Sequence, residues 1–257
     1  MIKKLFTLFK LVRKIAKSDI LNITSKFHEP PLGVKLLFKI LSFSFSPKNQ
    51  NEINKNEGER LSSSLESMGT TFIKLGQFLA TRPDIIGEEL SNKLENLQDR
   101  LPPFSMTQAK EIMKNDLGDD TYNSIIDLSE PVAAASIAQV HKAKINDAGT
   151  IKDVAIKILR PDIKKIFNEE IDAIMLFAFF VESFIKKTKR LKLIEVVFLL
   201  KEITNLEMDL RFEAAAANEY SENTKNDVGF RVPQIYWNFT SENVMTLDWV
   251  EIGRAHV

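Results

Sequence analysis

The sequence predicts an α+β fold in which helices come first, a small antiparallel sheet follows, and helices return. Three observations carry that prediction. Residues 59–118 read as successive helices punctuated by Pro83, Pro102, Pro103 and Gly118. The pattern then changes to two strand-like runs, Val132 to Ile145 and Val154 to Leu159, around an Asp147-Ala148-Gly149 turn. From Pro161 the helical pattern resumes, and it ends in two further short strands.

Each element has a local reason. A helix over 59–80 must stop before Pro83, because the residue preceding a proline is pushed out of the helical region. Another covers 87–98. Ser105-Met-Thr-Gln108 is a capping box that opens a helix running to Gly118. Pro161 suits the first turn of a long helix reaching Phe184, and a further helix covers 191–220. Strands at 234–238 and 243–249 are joined by Phe-Thr-Ser-Glu. The organisation that follows is a basic N-terminal segment (1–45), a polar linker (46–58), a helical extension (59–120), a sheet-bearing lobe with a helical insertion (121–250) and a short tail (251–257).

Composition narrows the chemistry. The chain is 44% hydrophobic and 27% charged, which suits a packed globular body. It has no cysteine, which excludes disulfides, thiolate metal sites and cysteine nucleophiles. His28, His141 and His256 are too scattered to build a histidine-rich metal site, and no metal is expected. The zero net charge hides an asymmetry: residues 1–50 carry ten Lys/Arg against Asp19 and Glu29, so the remainder is acidic. Within that basic arm, Lys3, Thr7, Lys10, Lys14 and Lys17 share one face of a helix over 2–17. Ile2, Leu5, Phe6, Phe9, Val12 and Ala16 share the other. It reads either as a helix packed on its own domain or as one lying on an anionic membrane. The longest apolar run, Ala173 to Val181, is far short of the roughly 20 residues that span a bilayer. Lys10, Arg13 and Lys14 break any secretory signal core, and a mitochondrial presequence is disfavoured by a single arginine and little serine.

The residues that could carry chemistry fall into five groups. Ala133, Ala134, Ala135 and Ser136 lie where a phosphate-covering hairpin would carry glycines. Lys157, in Val-Ala-Ile-Lys, follows Val140 by seventeen residues, a workable strand-turn-strand separation. A lysine that holds nucleotide phosphates needs a carboxylate to orient it, and Glu207, Asp209 and Glu213 are the candidates. Alanine avoids positive φ, so this turn is expected to be stiffer than a glycine loop and to bind phosphate in a different geometry. Lys74 and Gln77 share a helical face, with Gly76 between them for close approach at a cost of about 1 kcal/mol in helix propensity. In a kinase, the position after the last strand, here Asp248 and Trp249, is where backbone groups read the adenine edge; position rather than residue type carries that reading.

These motifs together resemble the UbiB/ADCK family of atypical protein-kinase-like proteins tied to ubiquinone biosynthesis. The resemblance spans 59–250. It rests on K-x-G-Q at Lys74–Gln77, TRPD at Thr81–Asp84, LQDRLPPF at Leu97–Phe104, the alanine loop, VAIK, Glu207-x-Asp209, EAAAAN at Glu213–Asn218, VPQIYW at Val232–Trp237 and TLDWV. It implies a protein-kinase-like small lobe preceded by a family-specific helical extension. It also implies that Lys157 contacts ATP or ADP phosphates and pairs with Glu213. As a buried pair, that contact would cost roughly 3–5 kcal/mol to break. The K-x-G-Q helix, with Lys74 near Glu207 and Asp209, is expected to occlude peptide substrates. The implied partners are a nucleotide, an anionic membrane surface or lipid, and quinone-biosynthesis proteins, with no nucleic acid. The implied location is the cytoplasmic face of a bacterial inner membrane.

The sequence departs from that pattern in one respect. It contains neither His-x-Asp nor Asp-Phe-Gly, the motifs that supply a kinase with its catalytic and Mg²⁺-binding aspartates. The large lobe is therefore expected to be absent, Mg²⁺ to belong to a full-length parent, and this chain to be inactive alone. The final EIGRAHV matches one reading frame of a widely used sequencing adapter and reads as a non-native tail. The alternative function is a non-catalytic helical module that binds lipid or a partner.

Overall fold

A computed structural model of the chain describes residues 57–95, 97, 101–184, 186–229 and 231–251, together with Phe9 and Arg13. The basic helix expected over 2–17 (Phe9 and Arg13 apart), nearly all of the linker and the tail after Glu251 lie outside the described residues. In chain order the first helices are α1 (Glu57–Met68), α2 (Thr70–Ala80), α3 (Pro83–Ile86), α4 (Glu88–Leu94), α5 (Met106–Leu117) and α6 (Asp119–Asn123). Four strands follow: β1 (Ile125–Ile126), β2 (Pro131–Ala134), β3 (Ala138–Asp147) and β4 (Thr150–Leu159). Then come α7 (Ile163–Phe184), a 3₁₀ turn (Lys186–Leu191), α8 (Leu193–Glu207), α9 (Leu210–Asn223), a second 3₁₀ turn (Trp237–Phe239) and β5 (Val244–Asp248). The α+β class and the small antiparallel sheet are as the sequence predicts.

The chain divides into two compact units, residues 1–99 with 164–203 and residues 100–163 with 204–257. In the first, α1, α2 and α4 bury Leu61, Leu65, Met68, Phe72, Ile73 and Leu94. The single helix expected over 59–80 is broken at Gly69, whose φ of 99° an L side chain rarely adopts. Gly76 does serve close approach: a Cβ built there would lie 2.6 Å from Leu97 Cδ2 and 2.8 Å from Leu65 Cδ1. Both neighbours are flexible leucine ends, and alanine regains about 1 kcal/mol of helix propensity. Gly76→Ala is therefore expected to change stability by less than about 1 kcal/mol, whereas the branched Gly76→Ile costs about 2–3 kcal/mol by overpacking. Urea denaturation of the two variants checks this.

In the second unit the sheet runs β1-β3-β4-β5, with β2 pairing β3 beside β1. All pairings are antiparallel. Alternation along β4 buries Val154, Ile156 and Ile158 on one face, where Ala109 and Met113 of α5 join them in the core. Lys157 lies on the opposite face. Ser105 caps α5 by accepting from the Gln108 amide, and the Gln108 side chain returns the contact, completing the expected box.

Three further sequence expectations are corrected. The run 132–145 is two strands, because the chain folds back at Ala135, whose N–H donates to Ala138 O at 2.8 Å. The helix expected over 191–220 breaks at Met208–Asp209, where Asp209 takes an extended conformation and caps α9. Residues 234–238 form no full strand: Ile235 bridges Leu247, and the chain then curls into a 3₁₀ turn that buries Phe239.

Candidate functional site

Strand register places the nucleotide candidates together. Ala133 pairs with Val140, Val140 with Lys157, and Lys157 with Met245, so the four lie in one cross-strand row. Cross-strand partners share a face, and two strand spacings, about 10 Å, separate Ala133 from Lys157. The alanine turn thus leads off the strand edge on the face that carries the lysine.

Lys157 Nζ donates to both oxygens of Glu213, at 2.8 and 2.7 Å. Glu213 stands in the first turn of α9, and that helix start is fixed three ways. Asp209 accepts from Arg211 N at 3.1 Å, Leu210 N donates to Glu242 O at 3.0 Å, and Leu210 and Ala214 are fully buried. Of the three candidate carboxylates, Glu213 is the one that reaches Lys157. The pair is not buried as expected: the side chains are 24% and 48% exposed, so it belongs with solvent-screened pairs, worth about 1 kcal/mol or less. Its interest is positional, since the ammonium is held by both carboxylate oxygens while still open to solvent.

Asp209 itself is committed locally, with the Arg211 guanidinium donating to its two oxygens at 2.9 and 2.7 Å. That contact raises the Arg211 pKa above its ordinary value. Glu207 closes α8. Lys74 and Gln77 lie three apart on α2 in the first unit, both half-buried, and Gln77 lines an open cavity of about 600 Å³ with Ala80, Thr81, Ser91 and Leu97.

The alanine turn is held by a residue that motif reading missed. Arg160, one residue beyond β4, donates through Nε and Nη2 to Ala135 O at 3.0 and 2.8 Å. The same Nη2 reaches Leu101 O at 3.4 Å, the guanidinium lies over the Phe104 ring, and Arg160 N donates to Ile137 O at 2.8 Å. None of Ala133 to Ser136 adopts positive φ, so the turn closes in a geometry alanine tolerates. Ser136 is fully buried.

At the other edge, Asp248 N donates to Gln234 O at 2.9 Å and Trp249 N to Asp153 O at 3.0 Å, so both amides are already engaged. The Asp248 carboxylate accepts from Tyr236 OH at 2.8 Å, Arg231 Nη2 at 2.9 Å and Gln234 N at 3.2 Å. Burial alone would raise its pKa, but these donors outweigh it and hold the carboxyl below its ordinary value. Burial, then the bond to Asp248, pushes the Tyr236 phenol up to about 12. The sign of the linkage follows. The stability Asp248 contributes is present above its unfolded pKa, near 4, and is lost as pH falls through the lowered folded value. Tyr236 contributes below its unfolded pKa, near 10, and its share is lost as pH rises toward about 12. A pH series of thermal unfolding should show both limbs, and Asp248→Asn should flatten the acid one.

No helix among the described residues is long and apolar enough to cross a membrane. Residues 96–254 match the family model described as the ABC1 atypical kinase-like domain. A probable protein kinase UbiB of Marinobacter nauticus is 33% identical over 221 residues, which are 86% of this chain and 39% of that protein. The probable protein kinase UbiB of Azotobacter vinelandii is 31% identical over 252 residues, 96% of this chain and 45% of that protein. The one from Aliivibrio fischeri (strain MJ11) is 36% identical over 189 residues, 73% of this chain and 34% of that protein. The chain therefore spans less than half the length of these curated relatives. A match covering most of the chain, over the same residues that form the sheet, the alanine turn and the Lys157–Glu213 pair, places this chain in the ABC1 atypical kinase-like family.

Proposed function

We propose that this chain is the nucleotide-holding part of a UbiB-like atypical kinase or ATPase whose full-length form supports ubiquinone biosynthesis at a membrane. The observation that carries the reading is Lys157 held by both oxygens of Glu213, two strands from the alanine turn. In this reading Lys157 meets the α- and β-phosphates of ATP or ADP, Glu213 orients the ammonium, and Ala133 to Ser136 cover the phosphates. Because the Asp248 and Trp249 amides already have partners, adenine recognition falls to the Val250 amide and to carbonyl groups of that segment. Bound ATP would supply the transferable phosphoryl group. The Mg²⁺ ligands and catalytic aspartate are assigned to the full-length parent, and the helix bearing Lys74, Gly76 and Gln77 to the exclusion of peptide substrates. The proposed location is peripheral, on the cytoplasmic face of a bacterial inner membrane, with quinone-biosynthesis proteins as partners.

Calorimetric titration of the chain with ADP and ATP tests this. Wild type should bind saturably, and Lys157→Ala should weaken binding at least about tenfold while costing about 1 kcal/mol or less in stability. Unchanged affinity in Lys157→Ala, or no saturable binding by the wild type, counts against the reading and favours a helical module that binds lipid or a partner.

A further inference from the structure

The first unit carries a cationic hairpin tip that the nucleotide reading does not use. Helices α7 and α8 run antiparallel: Glu182 Oε1 accepts from Ile194 N at 3.0 Å, and Lys201 pairs with Asp172 at 3.3 Å. The 3₁₀ turn Lys186–Leu191 joins them, and Lys192 follows in the left-handed region at φ 48°. Lys186, Lys187, Lys189, Arg190 and Lys192 put five cations into seven positions with no acid among them. Such a run raises the local positive potential and favours an anionic partner. Lys189, Arg190 and Lys192 are exposed. Large apolar side chains on the same two helices are exposed as well: Phe179 at 53%, Phe198 at 57% and Leu199 at 41%.

Beside the tip lies a cavity of about 360 Å³ whose lining includes Arg82, Asp84, Arg190, Lys192, Glu195 and Leu199. Arg82 is held by Asp84 at 2.9 and 2.7 Å, and Lys192 by Glu195 at 3.0 Å. Arg190 has no carboxylate partner among the described residues, so it carries the unneutralised charge of the cavity wall. Leu199 supplies an apolar part of the same wall.

We infer that this hairpin tip is a docking surface for an anionic lipid bilayer, with one phospholipid phosphate received at Arg190 and acyl chains meeting the exposed apolar residues of α8. The inference rests on the membrane half of the function proposed above and assigns it a place in the folded body. Charge complementarity selects the occupant: a cationic turn between two helices that also expose aromatic and aliphatic groups matches an anionic interface, where lysines meet headgroups and apolar residues meet the acyl boundary. A single weak membrane signal gives only marginal attachment, so the basic segment 1–50 and this tip would act together.

Co-sedimentation of the whole chain with vesicles tests the assignment, using phosphatidylcholine alone and phosphatidylcholine mixed with phosphatidylglycerol. Wild type is expected to bind the mixed vesicles and to be released by salt. Combining Lys189→Ser, Arg190→Ser and Lys192→Asn should lower partitioning about a hundredfold, at roughly fivefold per charge, with the circular dichroism spectrum unchanged. Arg190→Ser alone should cost more than Lys189→Ser alone, since of the two only Arg190 lines the cavity. A control variant converts Lys3, Lys10, Lys14 and Lys17 to Gln. If that control abolishes binding while the tip variant partitions like wild type, the hairpin assignment is overturned and the membrane reading stands. If wild type ignores both kinds of vesicle, the membrane reading fails and takes the assignment with it.

Discussion

Replacing Arg160 with alanine is expected to destabilise the sheet-bearing unit by about 2–4 kcal/mol and, where nucleotide binds, to weaken it by at least about tenfold. The first effect follows from the hydrogen bonds that the guanidinium donates. Two charge-assisted bonds to Ala135 O and a longer one to Leu101 O disappear together, and hydrogen bonds to charged groups are worth about 1.5–3 kcal/mol each, with shared acceptors not additive. The second follows from place. Ala135 lies within the turn proposed to cover the phosphates, and its carbonyl is fixed by the guanidinium of Arg160, a residue whose backbone N–H donates to Ile137 O. Loosening that carbonyl frees the turn and adds an ordering cost to ligand binding. Arg160→Lys separates the two effects: a lysine can supply one donor but not the fork, so stability should recover more than affinity. Denaturant titration gives the stability, and calorimetric titration with ADP gives the affinity. If Arg160→Ala binds ADP as tightly as wild type, the turn does not depend on its clamp.

Arg160 also marks the limit of what was legible in the sequence. Its bond to Ala135 joins residues 25 apart in the chain, and no periodicity or spacing rule points to it. Lys157 and Glu213 were legible because they stand within motifs, Val-Ala-Ile-Lys and the alanine-rich helix start. What motifs could not give was their exposure. The family pattern implies a buried pair, whereas α9 meets the sheet at its first turn and leaves Glu213 48% exposed.

The corrections to the fold share a cause: a local pattern continues across residues whose backbone departs from it. Gly69 offers a break within 59–80 that helical periodicity on both sides obscures. Asp209 belongs to a cap rather than a helix interior, and its short side chain accepting from Arg211 N is ordinary N-cap chemistry. Residues 234–238 contain strand-forming side chains, but the segment follows Pro233, and burial of Tyr236 and Phe239 turns it inward before a ladder can form. β1, only two residues long, is set by its partner β3 and has no pattern of its own.

A second large effect is expected at Gln139, a fully buried glutamine on β3. Its Oε1 accepts from Phe104 N at 2.9 Å, and its Nε2 lies 3.4 Å from Phe104 O and 2.9 Å from His141 Nε2. His141, also fully buried, contacts Ser129 O through Nδ1 at 2.8 Å. These contacts fix the hydrogens. The imidazole donates from Nδ1 to the carbonyl, so its Nε2 is the acceptor for the Gln139 amide. The chain of bonds therefore works with a neutral histidine in one tautomer, and it ties the Phe104 and Ser129 segments to the sheet. Gln139→Leu keeps the volume but leaves Phe104 N and His141 Nε2 without these partners. Each stranded buried group costs about 1–3 kcal/mol, so a loss of about 3–4 kcal/mol is expected. Gln139→Glu should be less damaging, since a carboxylate oxygen still accepts from Phe104 N and, of these two contacts, only the one to His141 is lost. Equal destabilisation by Leu and Glu, measured by denaturant titration, would show that volume rather than the bond network sets the stability of this wall.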